Sequence, residues 1–300
     1  MNLDAFIEIS KQQQLAVRGL QVYQHGQRIA VWQPCPEERQ NQFSVTKSFT
    51  STAIGLAIGE GRLSLEDYVL DYFKEEAPAV PSDNLRKMQL RHLITMSMGW
   101  PEPMFMTGRK ERAFSDDWVR YCLSQPVVNV PGSTFLYSNA GPYLLGIILQ
   151  RLTGQTLREY LTPRLFEPLG MEMPGVELDP KGMEFGASSF ELTVSDIAKL
   201  GLLYLQHGLW EGRQIIPAEW TEEVCKPRID TNGDGDALIG HDYGYLFWVM
   251  PEGTFRADGM YEQYSIVIPS RDAVIAVNAH QTTGNRDILH AVMTYIVPEL

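Results

Sequence analysis

The chain has 300 residues, 44% hydrophobic and 21% charged, the proportions of an ordinary soluble globular protein with room for a large core. Its 25 Lys and Arg against 37 Asp and Glu give a net charge of −12 with no basic cluster, which argues against nucleic acid and anionic membrane as partners. No stretch approaches the ~18 apolar residues of a membrane span, and the three cysteines, Cys35, Cys122 and Cys225, are spaced as reduced thiols of a cytoplasmic protein rather than as a disulfide framework or metal site.

The N-terminal MNLDAFIEISKQQQ lacks the basic start, apolar core and small-residue cleavage site of a signal peptide, consistent with a cytoplasmic location. Residues 4–14 have the spacing of an amphipathic helix, and 20–24 and 28–32 read as strands of a hairpin around His25-Gly26-Gln27. An apolar helix is expected from Ser44 to a glycine-rich stop at Gly59-Glu60-Gly61. Residues 62–175 are mostly helical in pattern, with apolar residues at helical spacing in 65–73, 90–96, 116–123 and 141–152. A further helix spans 193–206, with Thr193 as N-cap and Asp196 completing a capping box. The tail turns to β: strands at 243–250, 263–268 and 273–278, the last two joined around Pro269-Ser270-Arg271-Asp272, precede a final helix over 286–297. Strands at both ends and helices between them predict an α+β fold. In it, 1–60 and 180–300 form an antiparallel sheet domain flanked by helices, 61–179 form an inserted, mainly helical domain, and the site lies in the cleft between.

Chemistry concentrates first in Phe43-Ser44-Val45-Thr46-Lys47-Ser48-Phe49. Residues three apart share a helix face, so the Ser44 hydroxyl and the Lys47 amine can touch without help from another segment. Serine is a poor nucleophile until a base takes its proton, and lysine is a base only when desolvation keeps it neutral. The small, apolar run Thr50–Ile58 that follows is that of a buried helix and supplies the desolvation. The second segment is Tyr137-Ser138-Asn139, on a loop leading into the helix from Gly141. Its phenol can move a proton, and its amide can donate and accept. Alone, Ser44 could be a plain helix N-cap, and Tyr137 and Asn139 ordinary loop residues.

Together, in this order and context, the segments resemble the serine β-lactamase and penicillin-binding-protein superfamily, on the class C-like side with family VIII carboxylesterases, D-amino-acid amidases and DD-peptidases. The stretches LRHLITMSMG (90–99), LFEPLGM (165–171), ELTVSDIAKLGLLYL (191–205) and 243–248 are also similar to family segments, so the resemblance covers nearly the whole chain. It implies a β-lactamase/transpeptidase-like fold, Ser44 as the acylated nucleophile, and Lys47 as the acceptor of its proton. Tyr137 would share the base work, or protonate the leaving group and activate the deacylating water. Asn139 would hold Lys47 and the substrate amide, with no metal or organic cofactor. An oxyanion hole would combine the backbone N–H of Ser44 with that of the residue after the third motif's glycine.

That third motif departs from the family's Lys-Thr-Gly or His-Thr-Gly. Aligning 263–269 with the family's following strand puts Ala257-Asp258-Gly259 there and Met260 at the oxyanion position. Thr282-Thr283-Gly284 is closer in letters but falls after the hairpin. The cation and hydroxyl that receive a substrate carboxylate in relatives are missing, and Asp258 would repel one. Arg256 could substitute, although strand alternation turns it to the other face. A neutral ester or amide, or a substrate with an amine for Asp258, is therefore expected. A β-lactamase or D-Ala-D-Ala-type peptidase is the alternative enzyme, and a non-turnover ligand-binding sensor the alternative of another class. Asp230-Thr231-Asn232-Gly233-Asp234-Gly235 matches half of a calcium loop, but its twelfth position is His241 rather than Glu, so a solvated acidic loop is expected. Trp100, Phe105, Trp118 and Tyr121 are expected in the core or the cleft wall.

Overall fold

The two ends of the chain build one antiparallel sheet. The computed structural model describes residues 1–108, 111–231, 233, 238–240, 242–284 and 286–300. Strands β1 (Val17–Gln24) and β2 (Gln27–Trp32) form a hairpin whose two turn residues, His25 and Gly26, both take positive φ, as a type I′ turn requires. They are followed by β3 (Ile229–Asp230), β4 (Asp242–Tyr243), β5 (Trp248–Val249), β6 (Phe255–Gly259), β7 (Gln263–Ile268) and β8 (Ala273–Ala279). Among the described residues the order is β2-β1-β8-β7-β6-β5-β4-β3, so β8 joins the chain's end to its beginning.

Period-two alternation sorts the central strands between two cores. Ile266 on β7 and Ile275 on β8 pack with Phe6 of α1 (Asp4–Gln12) and Ile288, Leu289 and Val292 of the final helix. Val267, Val274 and Ala276 face the other way, toward Ile197 and Ala198. Every residue of β7 and β8 is buried, because helices cover both faces. In chain order the other long helices are α2 (Thr46–Gly59), α3 (Ala140–Thr153), α4 (Val194–Leu205) and α5 (Asp287–Tyr295). Helix α4 carries the expected cap: Thr193 Oγ1 accepts from the Asp196 N–H, and the Asp196 carboxylate accepts from the Thr193 N–H, both at 3.0 Å. Helix α2 is buried on all sides over residues 46–57, its hydroxyls satisfied within the core, Thr50 on the Gly186 carbonyl and Thr52 on the Ser48 carbonyl.

Three expectations are corrected. The helix expected from Ser44 begins at Thr46, after a 3₁₀ turn over Phe43–Val45. Residues 65–73 hold one 3₁₀ turn, Val69–Tyr72, because the Val69 N–H is drawn to the Met88 carbonyl. Residues 243–250 are not one strand: β4 and β5 are separated by a turn with Leu246 at φ 60°. There Ser51 and Ser48 of α2 donate to the Tyr245 and Leu246 carbonyls, at 2.7 and 3.1 Å, and hold the turn away from the sheet. Between α2 and α4 the chain is helical only in short pieces such as Leu90–Ile94 and Trp118–Ser124, apart from α3. No described helix is long and apolar enough to cross a membrane, and none of the three cysteines is in a disulfide.

Candidate active site

The turn carrying Ser44 is set by its neighbours. The two-residue strand Gln40–Asn41 pairs with Glu191–Leu192, and the Gln42 side chain donates to the Leu192 carbonyl at 2.8 Å. Phe43 sits at φ 47°, a conformation uncommon for a bulky residue, held because its N–H donates to Asn41 Oδ1 at 2.7 Å. The chain then enters the 3₁₀ turn, where side chains three apart eclipse, and Lys47 follows in the first turn of α2.

Lys47 Nζ lies 2.9 Å from Ser44 Oγ, 2.6 Å from Asn139 Oδ1 and 2.7 Å from the Ala187 carbonyl. The side chain is 1% exposed. Burial pushes its amine down to about 7, against the opposing pull of the Asp258 carboxylate. A neutral amine has two N–H donors and one lone pair. The Asn139 and Ala187 oxygens can take the two hydrogens, which leaves the lone pair for the Ser44 hydroxyl. Asn139 is itself fixed, its Nδ2 donating to the Phe105 carbonyl at 2.9 Å. Phe105 stacks on Trp118 at 4.6 Å in the core, where Trp100 is also buried, while Tyr121 is partly buried against Phe105.

The Tyr137 hydroxyl lies near that of Ser44, and the Lys47 Nζ stands 4.9 Å from its ring centroid. Burial pushes the phenol well above its ordinary range, and the nearby Asp258 charge adds to this, so Tyr137 keeps its proton at neutral pH. It is therefore placed as a proton donor or relay, which leaves Lys47 as the group able to accept. Its ring stacks on Trp248 at 5.7 Å and meets Tyr243 edge-on at 6.1 Å, with Phe135 against both. This aromatic wall has no local signal: Phe135, Tyr243 and Trp248 are brought together by strands β4 and β5 folding onto the 135–139 loop.

The end of β6 closes the site from the sheet side. At Gly259 a Cβ would fall 2.3 Å from the Gln42 carbonyl, so the strand approaches the nucleophile turn as no other residue would allow. Met260 follows at the turn, 39% exposed. Asp258 is not the lone charge expected from the sequence. Residues two apart on a strand share a face, and the Arg256 Nε donates to Asp258 Oδ2 at 3.0 Å. Arg256 is 0% exposed, its Nη1 donates to the Ile239 carbonyl at 3.1 Å, and its guanidinium lies 5.4 Å from the Trp248 ring centroid. It does not stand in for a substrate-binding cation; it neutralises Asp258 beneath the aromatic wall. The i, i+2 spacing was the available signal for that pair.

Residues 282–284 form a loop after β8, apart from the strand motif. Of the half-match to a calcium loop, Asn232, Asp234, Gly235 and His241 lie outside the described residues, and no group that could hold a metal occurs among the described ones.

A family model described as Beta-lactamase matches residues 4–293. The chain is 25% identical over 255 residues to the 6-aminohexanoate-dimer hydrolase of Paenarthrobacter ureafaciens, covering 80% of this chain and 62% of that protein. It thus spans less than two thirds of that relative's length. It superposes on the octameric penicillin-binding protein homologue from Pyrococcus abyssi with TM-score 0.76 and 22% identity, over 98% of this chain and 76% of the other. It also superposes on EstCE1, a hydrolase with promiscuous acyltransferase activity, with TM-score 0.75 and 18% identity, over 96% and 97% of the two chains. These structural likenesses speak to the fold.

Proposed function

Since this chain belongs to the beta-lactamase family, we propose that it is a serine hydrolase acting through an acyl-enzyme on a small ester or amide. One observation carries this reading: a buried amine, pushed down to about 7 by its burial, is held 2.9 Å from the one hydroxyl it can deprotonate. Ser44 Oγ attacks the substrate carbonyl carbon while its proton passes to Lys47 Nζ. The oxyanion forms between the backbone N–H groups of Ser44 and Met260, a reading supported by the close approach of Gly259 to the Gln42 carbonyl. Tyr137 relays the proton to the leaving group as the tetrahedral adduct collapses. A water then attacks the acyl carbon and gives its proton to Lys47, which returns it to Ser44 Oγ as the acyl C–O bond breaks and the acid leaves. The reaction occupies the cleft between the sheet of the two chain ends and the helical 61–179 segment, and it calls for no metal or organic cofactor.

Internal neutralisation of Asp258 by Arg256 leaves no third-motif cation for a substrate carboxylate, and the Tyr137–Trp248 wall offers an apolar face. Both favour a neutral ester or amide over a β-lactam or a D-alanyl peptide. Incubation with p-nitrophenyl acetate and with a chromogenic cephalosporin, followed by intact mass, tests this. Repeated ester turnover, a Ser44-dependent acetyl adduct and slow cephalosporin cleavage are expected. A permanent adduct without turnover would favour a sensor, and faster cephalosporin cleavage a β-lactamase.

A further inference from the structure

Beyond the catalytic residues, a second cavity of about 310 Å³ is lined by Arg91, His92, Thr95, Ser97, Arg228 and Tyr245, with Gly132 and Ile229 completing its wall. No carboxylate lines it, although the chain has 37 acidic residues against 25 basic ones. From these donors we infer that the cavity binds a small multivalent oxyanion, a phosphoryl group or a dicarboxylate, through Arg91, Arg228 and the His92 Nε2–H.

Each donor is prepared for an acceptor. The Gln89 backbone N–H donates to His92 Nδ1 at 2.9 Å, which puts the hydrogen of the neutral ring on Nε2. Burial, aided by the Arg91 charge, holds this imidazole down to about 4, so it remains a neutral donor across the working range. Gly132, at φ 90°, keeps the approach to Nε2 open: a Cβ there would come within 3.3 Å of it. Arg228 lies over the Tyr245 ring at 4.6 Å, which orients its fork. Glu66 and Glu223 pair with Arg91 and Arg228 from outside the lining, each through Nη2, which leaves the remaining N–H groups of each fork for a ligand. None of these side chains belongs to the Ser44 machinery, so the site stands or falls apart from the proposed hydrolysis.

Calorimetry and thermal shift with inorganic phosphate and with succinate, at ionic strength matched by chloride, test the site. One or both ligands should bind and raise the melting temperature, phosphate binding more tightly if the natural ligand is a phosphoryl compound and succinate if it is a dicarboxylate. Arg91→Gln and Arg228→Gln, both partly exposed positions, should each weaken binding about tenfold or more, the usual weight of a charged hydrogen-bonding group. Arg228→Lys should weaken it less, and the exposed control Arg213→Gln should leave it unchanged. Retained melting temperature and ester turnover would show that the variants fold. No heat with either ligand at millimolar concentration would overturn the site, as would an equal loss in Arg213→Gln, which would mark diffuse charge attraction.

Discussion

A lysine sealed from water loses the hydration that favours its ammonium, and Lys47 keeps only fixed acceptors and a serine in exchange. The Asp258 carboxylate opposes that effect, and Arg256 pairs with it. Asp258→Asn should therefore move the acid limb of the kcat/KM profile to lower pH, since the carboxylate raises the Lys47 value and its loss leaves Arg256 positive nearby. The same change strands a fully buried guanidinium and should lower stability by about 3 kcal/mol. An unshifted limb with unchanged stability would show that the pair does not act on Lys47. Tyr137→Phe keeps the ring on Trp248 and removes only the proton relay. Turnover should fall by about 10²–10⁴-fold with the melting temperature little changed, and near-normal turnover would remove Tyr137 from the chemistry. Ser44, Lys47, Tyr137 and Asn139 were legible because two local motifs carry them. Ala187 was not, since it contributes only a carbonyl, which any residue could supply from that place in the fold.

At the level of strands and helices, legibility followed the length of the repeating pattern. Helix α4 declares itself through its cap and sustained periodicity, strands β7 and β8 through apolar, β-branched runs bounded by turn residues, and the β7 span matches the expectation of 263–268. Strands β3, β4 and β5 have two residues each, too few to hold a period, and exist because a neighbour pairs with them. The 243–250 segment reads apolar throughout, yet hydrogen bonds from Ser48 and Ser51 pull its middle off the sheet. The β6 end is the element on which the proposed oxyanion site depends. Gly259→Ala would drive a methyl into the Gln42 carbonyl, so the strand must retreat from Ser44. Acylation should slow by about 10²-fold or more, the scale of a lost oxyanion donor, while substrate KM and overall helix content change little. Full activity in that variant would place the oxyanion elsewhere. Thr193→Ala at the α4 cap should cost about 1 kcal/mol by denaturant titration, without altering the pH profile.

Chain ends that pair side by side make the molecule depend on both. β1 lies against β8 along Gly19–Gln24, and Phe6 of α1 shares a core with Ile266, Ile275 and Ile288. Removal of residues 1–32 would expose the β8 edge and that apolar face together. The truncated chain should lose cooperative unfolding and near-ultraviolet circular dichroism; a sharp two-state transition would contradict that dependence. The closure of the sheet by the two ends was legible from strands at both ends with helices between. The sealing of the nucleophile turn by residues 186–192 was not, because it rests on backbone groups such as the Gly186 and Ala187 carbonyls.

Everything proposed for catalysis requires Lys47 to be the unprotonated partner of Ser44. Single-turnover acylation by p-nitrophenyl acetate across pH 5–9, with the adduct mapped by mass, tests that requirement. The rate should climb about tenfold per pH unit on the acid side and level off above about 7, with the acetyl group on Ser44, and should collapse in Lys47→Met. A pH-independent burst of equal rate in Lys47→Met, or an adduct on another residue, would contradict it.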